Sequence, residues 1–160
     1  MPTRPRALVL ATVALLAGVL AGCDALAPVA SLIPGAGPLV TVTTRGGECA
    51  DGPCGQTVML ERDGRVHQAA KPPNDLGVAP PDQVKAIATA IAATDFAALR
   101  AHPFTDECPT AFDGQEIVFE FATSTGIERL ASCETDLDFG DPLFVATATA
   151  LGPFIPLPTT

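Results

Sequence analysis

The segment from Gln115 to Thr123 constrains the fold more than any other, because Ile117, Phe119 and Phe121 alternate with Glu116, Val118 and Glu120. Side chains of a strand point to opposite faces with a period of two. The alternation therefore predicts a strand with an apolar inner face and an acidic outer one, which needs a sheet buried on one side. Thr125-Gly126 supplies a turn into a partner strand from Ile127 to Cys133. No helix accommodates this pattern without placing Phe beside Glu on both sides.

The rest of the chain supplies the sheet and its cover. Leu39 to Thr44 is rich in β-branched residues and reads as a first strand. Gln56 to Arg62 and Arg65 to Ala69 flank Asp63-Gly64, a two-residue hairpin signal, because both residues tolerate positive φ. Lys71 to Pro81 carries four prolines and a glycine and reads as a connection. Pro81 opens a helix on which Val84, Ile87, Ala88 and Ile91 form one apolar face. Thr94 and Asp95 then cap a separate short turn from Phe96 to Arg100, with Phe96 and Leu99 toward the core. Asp141-Pro142 starts a last helix that runs from Leu143 to Leu151 and ends at Gly152.

The expected fold class is α+β: an antiparallel sheet of about five strands covered on one face by two helices, in the order βββ-α-ββ-α. Four stretches follow: a leader over residues 1–22, an attachment residue and Pro-containing tether over 23–37, one domain over 38–151, and a loose tail over 152–160. No internal repeat interrupts them.

The leader has a basic start with Arg4 and Arg6, an uncharged apolar run from Ala7 to Leu20, and small residues before Cys23. That is the layout of a secretory signal, and the run is short for a membrane span of about 20 residues. Leu20-Ala21-Gly22-Cys23 resembles the lipobox of bacterial lipoproteins. The resemblance implies cleavage before Cys23 and diacylglycerol on its sulfur, so that the chain is lipid-anchored in the cell membrane on its extracytoplasmic side. Asp24 resembles the inner-membrane retention signal of two-membrane bacteria. Two or three acyl chains hold firmly where one binds marginally.

Cleavage there removes two basic residues and no acidic ones, and so moves the formal charge from −9 to −11. Scattered Lys and Arg on so acidic a chain argue against nucleic acid as a partner. Acidic charge also keeps the domain off an anionic lipid surface, leaving the lipid as the membrane contact. With no Trp and no Tyr, the chain lacks the aromatic platforms of carbohydrate and single-stranded nucleic-acid sites.

With Cys23 acylated, Cys49, Cys54, Cys108 and Cys133 form an even set in an oxidising compartment, which predicts two disulfides. Three pairings are possible. Cys49 with Cys54 and Cys108 with Cys133 is favoured because each joins neighbouring segments, and Asp51-Gly52-Pro53 can turn the first pair together. A four-thiolate zinc site is the alternative, although its usual paired short spacings are missing.

Groups for catalysis are few. His67 lies in a strand, His102 precedes Pro103, and no serine occupies a nucleophile elbow. Glu134, Asp136, Asp138 and Asp141 are the densest acidic run, but they lack calcium-loop spacing and read as a solvated loop that caps the next helix. The expectation is a non-enzymatic module with a protein or small envelope component as partner, no cofactor and no metal. An enzyme built around either histidine is the alternative. Thr43-Thr44-Arg45-Gly46-Gly47 and the stretch Ala92 to Leu99 resemble two bacterial groups. One is a set of uncharacterised secreted domains; the other is emfourin, an inhibitor of thermolysin-type metalloproteases. The second resemblance implies inhibition of a secreted protease through an exposed loop, and this chain departs from it in having cysteines.

Overall fold

The computed structural model of the protein describes residues 37–49 and 52–158, so the leader, Cys23 and most of the tether lie outside the described residues. The order is β1 (Val40–Gly46), β2 (Glu48–Cys49), β3 (Gly52–Pro53), β4 (Gln56–Leu60), β5 (Arg65–Gln68), β6 (Asn74–Val78), α1 (Pro81–Ala93), α2 (Phe96–Arg100), β7 (Gln115–Ala122), β8 (Ile127–Ala131) and α3 (Pro142–Leu151). Six of these strands form an antiparallel sheet in the order β6-β5-β4-β1-β7-β8, and β2 and β3 pair with each other.

The centre of the sheet is β1, a β-branched strand that pairs with β4 on one side and β7 on the other. Its register aligns Val40 with Leu60 and Phe121, and Val42 with Val58 and Phe119. These six side chains share one face and are at most 1% exposed. Ile87 and Ile91 of α1 and Leu143, Phe144 and Leu151 of α3 pack into the same cluster, so both helices bury their apolar sides against this face. The Phe119 and Phe121 rings stack with centroids 5.8 Å apart, and Phe144 meets Phe119 at 5.1 Å. Burial of such large apolar side chains is the main stabilising term of a small domain.

The α+β class and the antiparallel sheet are as expected, but among the described residues the sheet has six strands rather than five and there are three α-helices rather than two. The extra strand is β6, inside the segment read as a connection. It is an edge strand with only Leu76 turned half inward and a register shift opposite Val66 and His67, so it carries no alternating signal. Phe96 to Arg100, read as a short turn, is the helix α2. Its N-cap is Asp95, which accepts hydrogen bonds from the Ala97 and Ala98 amides.

Other differences are local. The hairpin loop is three residues, Arg62 to Gly64, because the Glu61 amide still bonds to the Arg65 carbonyl at 2.8 Å. Only Gly64 takes a left-handed conformation, at φ 92°, whereas a two-residue loop would force Asp63 to do so too. Ala88 is exposed, and α1 rests on Ile87 and Ile91 with Val84 half-buried. On the sheet face expected to be acidic and wet, Glu116 and Val118 are only 5% and 7% exposed. An interior strand such as β7 is shaded by neighbours on both sides. Residues 152–158, expected as a loose tail, bring Ile155 into the core at 1% exposure.

The last helix begins as expected, with the Asp141 carboxylate accepting from the Leu143 amide at 2.8 Å and Pro142 in the first turn. Gly152 ends it in a right-handed rather than left-handed conformation.

Candidate functional site

A cleft of about 920 Å³ opens at the end of the sheet where the chain enters β1. One wall is the elbow between α1 and α2. Thr94 terminates α1 by donating its hydroxyl to the Ala90 carbonyl at 2.8 Å, and Asp95 starts α2 at once. Two helices joined this tightly present Ala88, Ala92, Ala93 and Ala97 to the cleft, and small side chains leave space. The opposite wall is the β7–β8 turn, where the Thr123 hydroxyl donates to the Gly126 carbonyl at 2.8 Å. The Arg100 guanidinium bridges the walls to Glu128 at 2.6 Å.

Leu39, Ile91 and Phe96 line the cleft and are buried at 2%, 6% and 7% exposure, so its floor is apolar. Arg62, from the β4–β5 loop, adds an exposed cation at the mouth. An apolar floor with a few convergent polar groups is the usual composition of a small-molecule or peptide site. The hydroxyls of Thr123, Ser124 and Thr125 have no histidine beside them in the lining. Asp95 is legible in the sequence only as a cap, and Arg62, Arg100 and Glu128 do not stand out, because the four come from three separated segments. The one legible trace is the density of alanine through α1 and α2.

A second cleft, of about 240 Å³, lies between Phe104, Ile117, Leu137 and Phe139. Neither histidine lines either cleft. His67 sits on β5 with its Nε2 3.7 Å from Glu61 Oε1, too long for a hydrogen bond, and His102 is exposed. The backbone carbonyl of His102 accepts from the Asp136 amide at 2.8 Å.

Cys108 and Cys133 are joined by a disulfide with Cα atoms 5.2 Å apart. Cys54 is also disulfide-bonded. In the acidic run, Asp141 caps α3, Asp138 accepts from the Gly140 amide, and Glu134 pairs with Arg129 at 2.6 Å. Among the described residues no three His, Cys, Asp or Glu side chains gather where they could hold a metal, and no helix is long and apolar enough to cross a membrane.

Two charge pairs outside the clefts are structural. The Arg45 guanidinium is raised above its usual range by its hydrogen bond to Glu116, which satisfies that buried carboxylate. Asp63 is held below the ordinary carboxylate range by its hydrogen bond to Arg65 across the hairpin loop. The residues that carry the likeness to emfourin also have work in the fold: Gly46 at φ 87° packs against Thr110, Asp95 caps α2, and Phe96 is in the core.

Comparison of the chain with known protein families, curated proteins and solved structures gave no match.

Proposed function

We propose that the protein is a lipid-anchored, extracytoplasmic lipoprotein of the bacterial cell membrane whose domain binds an envelope component in the cleft between the α1–α2 elbow and the β7–β8 turn, without catalysis. The observation that carries this reading is the position of Leu39. It lies in the floor of the cleft and is also the residue through which the N-terminal segment enters the sheet. From Cys23 to Leu39 the chain reaches at most about 55 Å even when fully extended. That tether keeps this end of the domain within about 55 Å of the anchor, which supports a ligand belonging to the membrane or its surroundings.

Binding rather than turnover is supported by the lining, where three of the four charged groups are engaged in capping or pairing, Asp95 with two amides and Arg100 with Glu128, and the fourth, Arg62, is an exposed cation at the mouth. The disulfide of Cys108 and Cys133 supports an oxidising compartment. Cys49 is the proposed partner of Cys54.

Two variants of the full chain test the proposal in the producing cells. Cys23→Ser is expected to move the protein from the membrane to soluble fractions and to abolish labelling by radioactive palmitate. Ala92→Trp, on an exposed helix position, obstructs the cleft while leaving the anchor intact. It is expected to abolish recovery of the envelope component that co-purifies with the unaltered protein. Acyl labelling of the serine variant, or undiminished recovery by the tryptophan variant, overturns the corresponding half.

A further inference from the structure

Of the eight phenylalanines, seven are buried or half-buried and one, Phe112, is 70% exposed. A single exposed apolar residue is ordinary on a protein surface. This one differs in how it is held. It ends a 3-10 turn, Pro109–Phe112, that starts directly after Cys108. The disulfide ties Cys108 to Cys133, two residues past the end of β8. Within the turn the Ala111 amide bonds to the Cys108 carbonyl at 2.9 Å, and the Gly114 amide returns to the Pro109 carbonyl at 2.8 Å.

The turn is also packed from below. A Cβ on Gly46 would lie 2.5 Å from Thr110 Cγ2, so a glycine lets the turn sit close on the end of β1, and one on Gly114 would lie 2.6 Å from Pro109 Cβ, so a second glycine lets the turn close tightly on itself. Asp113 follows Phe112 at φ 60°, a left-handed conformation that turns the chain away and leaves the ring at the apex. A phenyl ring held in this way loses little conformational freedom on docking, which is the property of a binding anchor.

Its surroundings state the chemistry of the partner. Asp106, Glu107 and Asp113 are exposed around the turn, and none of the three has a cationic partner among the described residues. The same turn carries no Lys or Arg. We infer that Phe112 is the anchor of a second, separate interface, inserted into an apolar pocket with a Lys- or Arg-bearing rim on another protein. An anionic membrane is disfavoured by the acidic collar. A second copy is disfavoured too: the chain carries a net charge of −9, and the apolar cleft nearest the turn in sequence includes Asp136 in its lining.

The test places a benzophenone-bearing phenylalanine at position 112 of the full-length chain in the producing cells, with the same residue at exposed Val145 of α3 as control. Irradiation is expected to join position 112, and not position 145, to one other protein through a peptide that combines apolar residues with Lys or Arg. The combined changes Asp106→Asn, Glu107→Gln and Asp113→Asn are expected to cut that adduct several-fold, and Ala92→Trp to leave it intact, which separates this interface from the cleft. No adduct, equal adducts at both positions, a lipid adduct, an adduct of twice the mass of the chain, or indifference to the charge changes each overturns the proposal. Phe112→Ala is expected to leave the melting temperature unchanged, as befits a residue outside the core.

Discussion

Phe119 shows how far one residue carries the architecture. It is 1% exposed, stacks on Phe121, meets Phe144 from α3, and pairs across the sheet with Val42 and Leu130. Phe119→Ala therefore leaves a cavity that several elements cannot close together, and it is expected to cost about 3–5 kcal/mol in urea unfolding. A loss below about 1 kcal/mol would show that the helices can settle onto the sheet without it. Its alternation with Glu116 and Glu120 is legible in the sequence because strand geometry requires nothing beyond residues two apart. The burial of Glu116 is not legible, because its partner Arg45 is supplied by a strand seventy-one residues earlier.

At the scale of elements, the turn after Cys108 depends on a covalent tie across 25 residues. Closing a loop of that length removes denatured-state entropy worth about 3–4 kcal/mol. The double change Cys108→Ser and Cys133→Ser is expected to lower stability by that order, read from the midpoint of denaturant unfolding. Thiol titration of the unaltered, denatured protein without reductant is expected to find neither sulfur reactive. Chain order favours the pairing of neighbouring segments, since short loops close at the lowest entropic cost, but it leaves all three pairings open. The elements that escape such inference are weakly patterned. The strand β6 alternates poorly because it turns only Leu76 half inward, and α2 is too short for helical periodicity to declare itself.

For the whole molecule, the decisive contribution comes from the end of the described chain. Ile155 is 1% exposed, and Phe154 and Leu157 pack beside the core, with the Phe154 ring 3.0 Å from where a Cβ on Gly77 of β6 would lie. Ending the chain after Gly152 is expected to cost at least about 2–5 kcal/mol and to expose β6, read as a lower melting temperature and faster hydrogen exchange at the Ala79 amide, which donates to the Gly64 carbonyl at 2.8 Å. A truncated chain with unchanged melting would show that the segment merely rests on the surface. The prolines at 153, 156 and 158 suggested looseness, because proline prevents regular structure, yet they leave apolar side chains free to pack.

The chain alone determined those features whose cause lies within a few residues. These are the alternation in β7, the reversal at Asp63-Gly64, the proline start of α1, the Asp141-Pro142 start of α3, and the class of fold that must bury such stripes together. Each rests on backbone sterics or short-range hydrogen bonds that neighbouring residues supply. Tertiary structure alone decided the sheet order with β1 between β4 and β7, the sixth strand, the burial of Glu116, the cleft, and the exposed position of Phe112. These depend on which segments meet across the sheet, and contacts between distant segments leave no periodic trace in either partner.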